Sequence, residues 1–300
     1  MAAELPAIAF ALSTALLLSV RNMTLRMGLT KADAIVGVFL AGLISVPLSA
    51  LLALLQGDLL APLNYQLLNV ALLGAAGIIH YLLGRVFIFS SIKLIGAARA
   101  TTILQAYILI AAALSLLFLG EAITSETGIG LALVIPGLMF VARSDPSAAA
   151  ERAPLSREAF RKGLLLALLA MIVWAIPPVL VRPSILSLGS PLVGNVISNL
   201  FGTAAVIGLM LPRHDFGKIA ATDRRSLKIL TLAGLLSGLS QISQYTALSL
   251  GNVSLVIPLT STHILLTMTG SYLFMQRLER INLRVILGGG LIISGLFLIA

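Results

Sequence analysis

Residues 249–300 read SLGNVSLVIPLTSTHILLTMTGSYLFMQRLERINLRVILGGGLIISGLFLIA: two apolar runs joined by a short charged turn around Arg277–Arg280. A variant of this text stands earlier, at 91–142: SIKLIGAARATTILQAYILIAAALSLLFLGEAITSETGIGLALVIPGLMFVA. Glu121 aligns with Glu279, Gly130 with Gly288 and Gly137 with Gly295, a shift of 158 (279 − 121). Upstream the shift holds with small drift. Arg26 pairs with Arg182 and Leu94 with Leu250 at 156 (182 − 26), and Val36-Gly37 pairs with Val193-Gly194 at 157 (193 − 36). The chain is therefore two copies of a unit of roughly 150 residues. Each copy holds five apolar runs. Five is odd, so the second copy enters a membrane from the opposite face, which gives an inverted repeat with a midplane site between the halves.

Composition agrees with a membrane chain. Of 300 residues, 59% are hydrophobic and 10% charged, with mean hydropathy +1.07; soluble domains carry about 25% charged residues. The net charge of +9 sits in short loops, where it reads as a topology signal and not as a nucleic-acid surface. With no cysteine, disulfides and thiolate metal sites are excluded. The opening MAAELPAIAF lacks a positive leader, so the first run reads as a helix and not as a cleaved signal peptide.

The predicted fold is an all-α polytopic membrane protein of ten transmembrane helices in two inverted five-helix repeats. The spans fall at about 20 residues each: 5–27, 32–56, 67–90, 97–119 and 126–142, then 163–181, 192–211, 226–250, 253–276 and 281–300. The first repeat occupies 1–142, a polar linker RSDPSAAAERAPLSREAFRK occupies 143–162, and the second repeat occupies 163–300. Seventeen of the 20 Lys and Arg residues lie in the loops after spans 1, 3, 5, 7 and 9; the other three are Arg21, Arg85 and Arg182. The positive-inside rule places those loops in the cytoplasm and both termini outside the cell (inner) membrane. Arg21 and Arg85, near the positive ends of spans 1 and 3, have stems long enough to snorkel.

Interior polar residues are the candidates for a site. No Asp or Glu is placed in a membrane interior, all of them falling in loops or at helix starts, so the solute is expected to be neutral, zwitterionic or anionic and not a lipophilic cation. Span 1 contributes Asn22. Span 3 contributes His80, amid Gly74, Gly77 and Gly84, small residues that let a neighbour approach. Span 4 contributes Gln105 and Tyr107, and span 6 Trp174 ahead of Pro177-Pro178. Span 8 offers Ser237, Gln241, Gln244 and Tyr245 at spacings of three and four, hence on one face. Span 9 offers Thr260, His263, Thr267 and Gly270 on one face. The shift of 156 sets Tyr107 opposite His263 and Gln105 opposite Ser261 (263 − 107, 261 − 105). Each of these also has a plain reading as a helix-to-helix hydrogen bond, worth about 0.6 kcal/mol on average, and Trp174 as a packing residue. Pro177-Pro178 and Pro258 interrupt helix hydrogen bonding and read either as hinges or as structural kinks.

The sequence resembles the drug/metabolite transporter superfamily, in its EamA-type ten-helix members, over essentially the whole chain. The resemblance rests on LFLGEAIT (117–124) with Gly130 and Gly137, its echo LFMQRLERIN (273–282) with Gly288 and Gly295, ALSLGNVSLVIPL (247–259) and VWAIPPVLVR (173–182). It implies a two-fold pseudo-symmetric basket in which spans 3, 4, 8 and 9 line a central cavity and spans 5 and 10 act as scaffold. It also implies ATP-independent export or exchange of small metabolites, amino acids among them, without a cofactor, by a monomer or homodimer. Two departures stand out: Val20-Arg21 occupies a place where the family often has an aromatic residue, and members are commonly drawn with cytoplasmic termini, against the charge distribution here. A second transport reading is a flippase for lipid-linked sugars or headgroups. An intramembrane enzyme lacks paired catalytic residues; Ser13, Ser45, Ser115 and Ser294 have no partner at a readable spacing.

Overall fold

The computed structural model describes residues 4–28, 32–61, 65–95, 100, 103–122, 124–142, 157–274 and 283–299. Every regular element among them is helical. This follows from the solvent: in hydrocarbon no water serves the backbone, so each N–H and C=O must be bonded within its own segment. The first repeat comprises α1 (Leu5–Gly28), α2 (Ala34–Leu55), α3 (Leu67–Ile78), a π-helical segment (Ile79–Gly84), α4 (Arg85–Ile95), α5 (Tyr107–Leu119) and α6 (Ser125–Ala142). The second comprises α7 (Arg157–Leu188), α8 (Pro191–Met210), the short connector α9 (Gly217–Ala221), α10 (Arg224–Leu250), α11 (Val253–Ser261), α12 (His263–Phe274) and α13 (Leu283–Ile299).

Five of these segments are long and apolar enough to cross a bilayer unaided: Leu5–Leu25, Ala34–Leu55, Leu67–Ile92, Arg157–Leu188 and Pro191–Met210. Shorter apolar helices cover Tyr107–Leu119, Ser125–Phe140, Val253–Thr267 and Ile286–Ile299. α10 has the length, 27 residues, but its serines and glutamines lower its hydropathy and turn inward. Large apolar side chains such as Leu67, Leu117, Phe118 and Phe297 are exposed, as suits helices that face lipid.

Two boundaries differ from the sequence reading. The linker predicted at 143–162 is shorter, because 157–162 already form the first turns of α7; 143–156 lie outside the described residues, as do the start of span 4 at 97, the turn 277–280 and Glu279. Span 6, predicted at 163–181, runs on to Leu188 through Pro177, Pro178 and Pro183. At 32 residues α7 is about 48 Å long, more than the roughly 30 Å hydrocarbon core, so its polar opening REAFRK projects beyond it.

The two-fold relation is visible in the packing of α6 on α13. A Cβ on Gly130 would lie 2.6 Å from the Gly295 carbonyl oxygen, and one on Gly137 would lie 2.8 Å from that of Gly288. Numbers rise along one helix as they fall along the other, so these two repeat-equivalent helices are antiparallel. Three further packings occur in matched pairs: α1 on α10 with α3–α4 on α7, α2 on α10 with α8 on α3, and α1 on α11–α12 with α7 on α5. Helix starts match as well. Asp33 caps α2 through Ile35 N–H at 3.0 Å, and Ser190, its equivalent at a shift of 157 (190 − 33), caps α8 through Val193 N–H at 3.1 Å.

Candidate functional site

A cavity of about 310 Å³ lies between the repeats. It is lined by α1, the π-segment and its flanks, α5, α7, α10 and α11–α12, with Ser198 of α8. Spans 3, 4, 8 and 9 thus line it as expected, and the equivalent spans 1 and 6 join them. Eight of the nine sequence candidates come together on its wall: Asn22, His80, Tyr107, Trp174, Gln241, Gln244, Tyr245 and His263. Gln105 does not. It is buried in the turn just before α5, its side-chain oxygen without a hydrogen bond.

The π-segment shapes one wall. Its sequence IHYLLG places His80 and Tyr81 on the cavity together with Arg85, the next residue after it; such insertions are frequent at functional sites. The glycines around it admit close neighbours as anticipated. Gly77 lies against the Ser198 backbone, and a Cβ on Gly84 would meet Trp174 Nε1 at 2.5 Å. Trp174 stacks at 5.1 Å from the His80 ring and 6.2 Å edgewise from Tyr107.

A buried polar chain leads from this wall into α8. Tyr81 bonds Asn199 through its hydroxyl and lies 2.8 Å from the Gln241 amide. One phenolic proton cannot serve two carbonyl oxygens, so Gln241 presents its NH₂ to the phenol. Asn199 donates to Asn195 Oδ1 at 2.6 Å, and the Ser49 hydroxyl lies 2.7 Å from both that oxygen and the Ser45 carbonyl, between which its one proton is shared. Neither Asn195 nor Asn199 was singled out from sequence, although two asparagines at i, i+4 in an apolar run were the available signal. Between spans 4 and 9, Ser261 donates to the Ile257 carbonyl, so the Tyr107 hydroxyl is the donor in its 2.9 Å bond to Ser261. His263 Nδ1 sits 2.9 Å from the Thr260 carbonyl. Thr267 bonds back to the His263 carbonyl, Ser237 to that of Ala233, and Gly270 packs on Met23; these three do not reach the cavity.

Three charged residues were read differently from sequence. Arg21 and Arg85 do not snorkel outward; both face the cavity. Arg21 donates from Nε and Nη2 to Asn22 Oδ1 at 3.2 and 2.7 Å, and the Arg85 guanidinium lies over the Tyr81 ring, 5.2 Å from its centroid. Glu121 is not a solvated loop residue. Its side chain is 2% exposed and accepts from Val253 N–H at 2.8 Å, Ser254 N–H at 3.1 Å and Ser254 Oγ at 3.0 Å. Arg182 approaches it to 3.5 Å and also donates to the Gly251 carbonyl at 2.9 Å and Asn252 Oδ1 at 2.8 Å. A buried carboxylate therefore exists, but it caps α11 and is not part of the cavity wall. Gly120, left-handed at φ 65°, ends α5 and turns the chain so that Glu121 reaches it.

No curated protein matches the sequence. A solved structure described only as the crystal structure of a protein superposes with a TM-score of 0.75 at 15% identity, covering 98% of this chain and 96% of that one; at that identity the likeness concerns the fold. The sequence profile of the EamA-like transporter family matches twice, over residues 5–143 and 161–300. With both repeats accounted for, the chain belongs to the EamA-like transporter family and is a membrane transporter of the drug/metabolite transporter superfamily.

Proposed function

We propose that this chain is a secondary transporter of small neutral, zwitterionic or anionic metabolites such as amino acids, working without ATP in the cell membrane. The observation that supports it is the cavity between the two repeats, a largely apolar pocket into which both repeats place polar side chains, His80 and Arg85 from the first and Gln241 and His263 from the second. In the mechanism proposed, the halves rock about this site and expose it to each side in turn. Two structural features suit such motion. α11 and α12 are separated at Thr262, one turn past Pro258, where the missing proline N–H leaves a carbonyl unbonded. The start of α11 is held by the single cap of Glu121. The loops rich in Lys and Arg face the cytoplasm in this reading.

The test is counterflow in proteoliposomes. Vesicles preloaded with one unlabelled metabolite should accumulate its labelled form, and His80→Ala should reduce the rate while the purified protein stays monodisperse. Absence of flux across amino acids, organic acids and sugars, with folded protein, refutes the transport of free solutes.

A further inference from the structure

We infer that the solute is a small organic anion, held through a carboxylate or phosphate group by Arg21 and Arg85; this rests on the transporter reading above. Both arginines belong to the cavity wall. Arg21 stands seven residues before the end of α1 at Gly28, and Arg85 ten before the end of α4 at Ile95. These offsets correspond to depths of about 10 and 15 Å along the helices. Topology-setting arginines belong at helix ends and in loops, and a guanidinium held this deep is expensive unless something compensates its charge. Among the described residues, no acidic side chain does so. No Asp or Glu lines the cavity, and Glu121 is engaged by Arg182 and the start of α11. Among the described residues, Arg21 spends two N–H groups on the neutral Asn22, and Arg85 makes only its contact with the face of the Tyr81 ring. Each guanidinium has five N–H donors in a planar fork. That leaves donor pairs free to grip a carboxylate or phosphate bidentately.

Repeat symmetry argues against a purely structural role. The shift of 156 sets Arg21 against Pro177 and Arg85 against Gln241 (177 − 21, 241 − 85), and both counterparts also line the cavity. The second repeat thus builds the same two places with uncharged residues, so the fold itself does not demand cations there. The positive charge is a property of one wall. Away from it the lining is aromatic, aliphatic and amide, with Tyr107, Trp174, Gln244 and Ile257. It offers an uncharged body a surface but gives an ammonium group no carboxylate. An organic acid or a phosphate monoester fits this distribution better than an amino-acid zwitterion. A volume of about 310 Å³ is at the small end of ligand pockets.

The experiment has two readouts on the same purified protein. The first is thermal stabilisation in detergent by succinate, glycerol 3-phosphate, glycerol and leucine, in wild type, Arg21→Gln, Arg85→Gln and Arg85→Lys. The second is counterflow of the same compounds in proteoliposomes. The expected result is binding and flux of succinate or glycerol 3-phosphate, with the dissociation constant raised at least tenfold in either glutamine variant and partly recovered in Arg85→Lys. The preference between the two anions separates carboxylate from phosphate. Should a glutamine variant fail to stay monodisperse, Arg85→Lys keeps the charge, removes the fork and gives the reading alone. Flux of glycerol or leucine that the arginine variants leave unchanged overturns the anion assignment while transport stands. Arginine-dependent binding of an anion without any flux sustains the site and overturns transport. Absence of both binding and flux overturns both.

Discussion

Replacing Glu121 by alanine removes the acceptor of three hydrogen bonds and the only carboxylate near Arg182 among the described residues. Two effects add. The N–H groups of Val253 and Ser254 open α11, and losing a helix cap costs about 1 kcal/mol. Breaking a buried ion pair by removing one partner costs about 3–5 kcal/mol. Arg182 softens the second term, since it is 21% exposed and keeps its bonds to Gly251 and Asn252. The two terms also share atoms and do not sum in full, so the net loss is about 2–4 kcal/mol. For a chain of this size, with an unfolding entropy of about 2.1 cal/mol/K per residue, that lowers Tm by roughly 3–6 °C, readable as a thermal shift in detergent. Glu121→Gln should lose about half as much, because one oxygen still accepts while the new NH₂ faces a donor. A double change, Glu121→Gln with Arg182→Met, should be less harmful than the sum of its parts by about 1 kcal/mol or more. A Tm for Glu121→Ala within about 1 °C of wild type, or a strictly additive cycle, would refute the view that this pair holds the start of α11.

Gly84→Ala places a methyl 2.5 Å from Trp174 Nε1 and 2.9 Å from Cδ1; overpacking of this kind costs about 1–3 kcal/mol, and the displaced indole should lower flux more than Tm, so unchanged counterflow would contradict its place on the wall. Tyr81→Phe leaves Asn199 and Gln241 without their shared partner, a loss of about 1–2 kcal/mol measurable by thermal shift, and a variant as stable as wild type would show the polar chain to be slack. Lys218 bridges Asp215 at 2.7 Å and Asp33 at 3.1 Å, and those hydrogen bonds, first to Asp215 and then to Asp33, hold its ammonium above the usual lysine value of 10.5. A raised value means that the contribution is complete below the ordinary one and is lost as pH climbs through the raised one. Lys218→Ala should therefore lower Tm slightly and equally at about pH 6 and about pH 8; a gap that narrows between them would be inconsistent with that assignment.

The fold was legible in sequence because a repeat of apolar runs is a property of spacing, and spacing survives wherever lipid surrounds the helices. The cavity was largely legible for a related reason: a polar side chain inside a span has few places to go except inward. What escaped was partnership. Glu121 reads as a loop residue since it follows the helix-ending Gly120, and only the approach of α11 from 132 residues away (253 − 121) buries it. Arg21 and Arg85 read as end-of-helix topology signals since sequence gives depth along a helix but not the azimuth at which a kinked or π-bulged helix turns. The π-segment is itself the reason that His80, Tyr81 and Arg85 meet one cavity, and no local pattern in IHYLLG announces it.

The pseudo-symmetry explains a further mismatch. Aligning the repeats pairs equivalent positions, Tyr107 with His263 and Gln105 with Ser261. A two-fold axis does not bring equivalents into contact except on the axis itself; it brings a residue to the equivalent of its neighbour. Gly130 accordingly meets Gly295 and not its own equivalent Gly288, and Gly137 meets Gly288. Tyr107 likewise bonds Ser261, the equivalent of Gln105. The mate of that bond would join His263 to Gln105. Instead His263 faces the Thr260 carbonyl and the Gln105 oxygen is unbonded. The symmetry that governs the scaffold of α6 and α13 is thus broken at the cavity, where the first repeat carries Arg85 and the second carries Gln241 at the equivalent place. A site with one charged wall and one neutral wall can orient a solute with distinct ends, which a fully symmetric site cannot do.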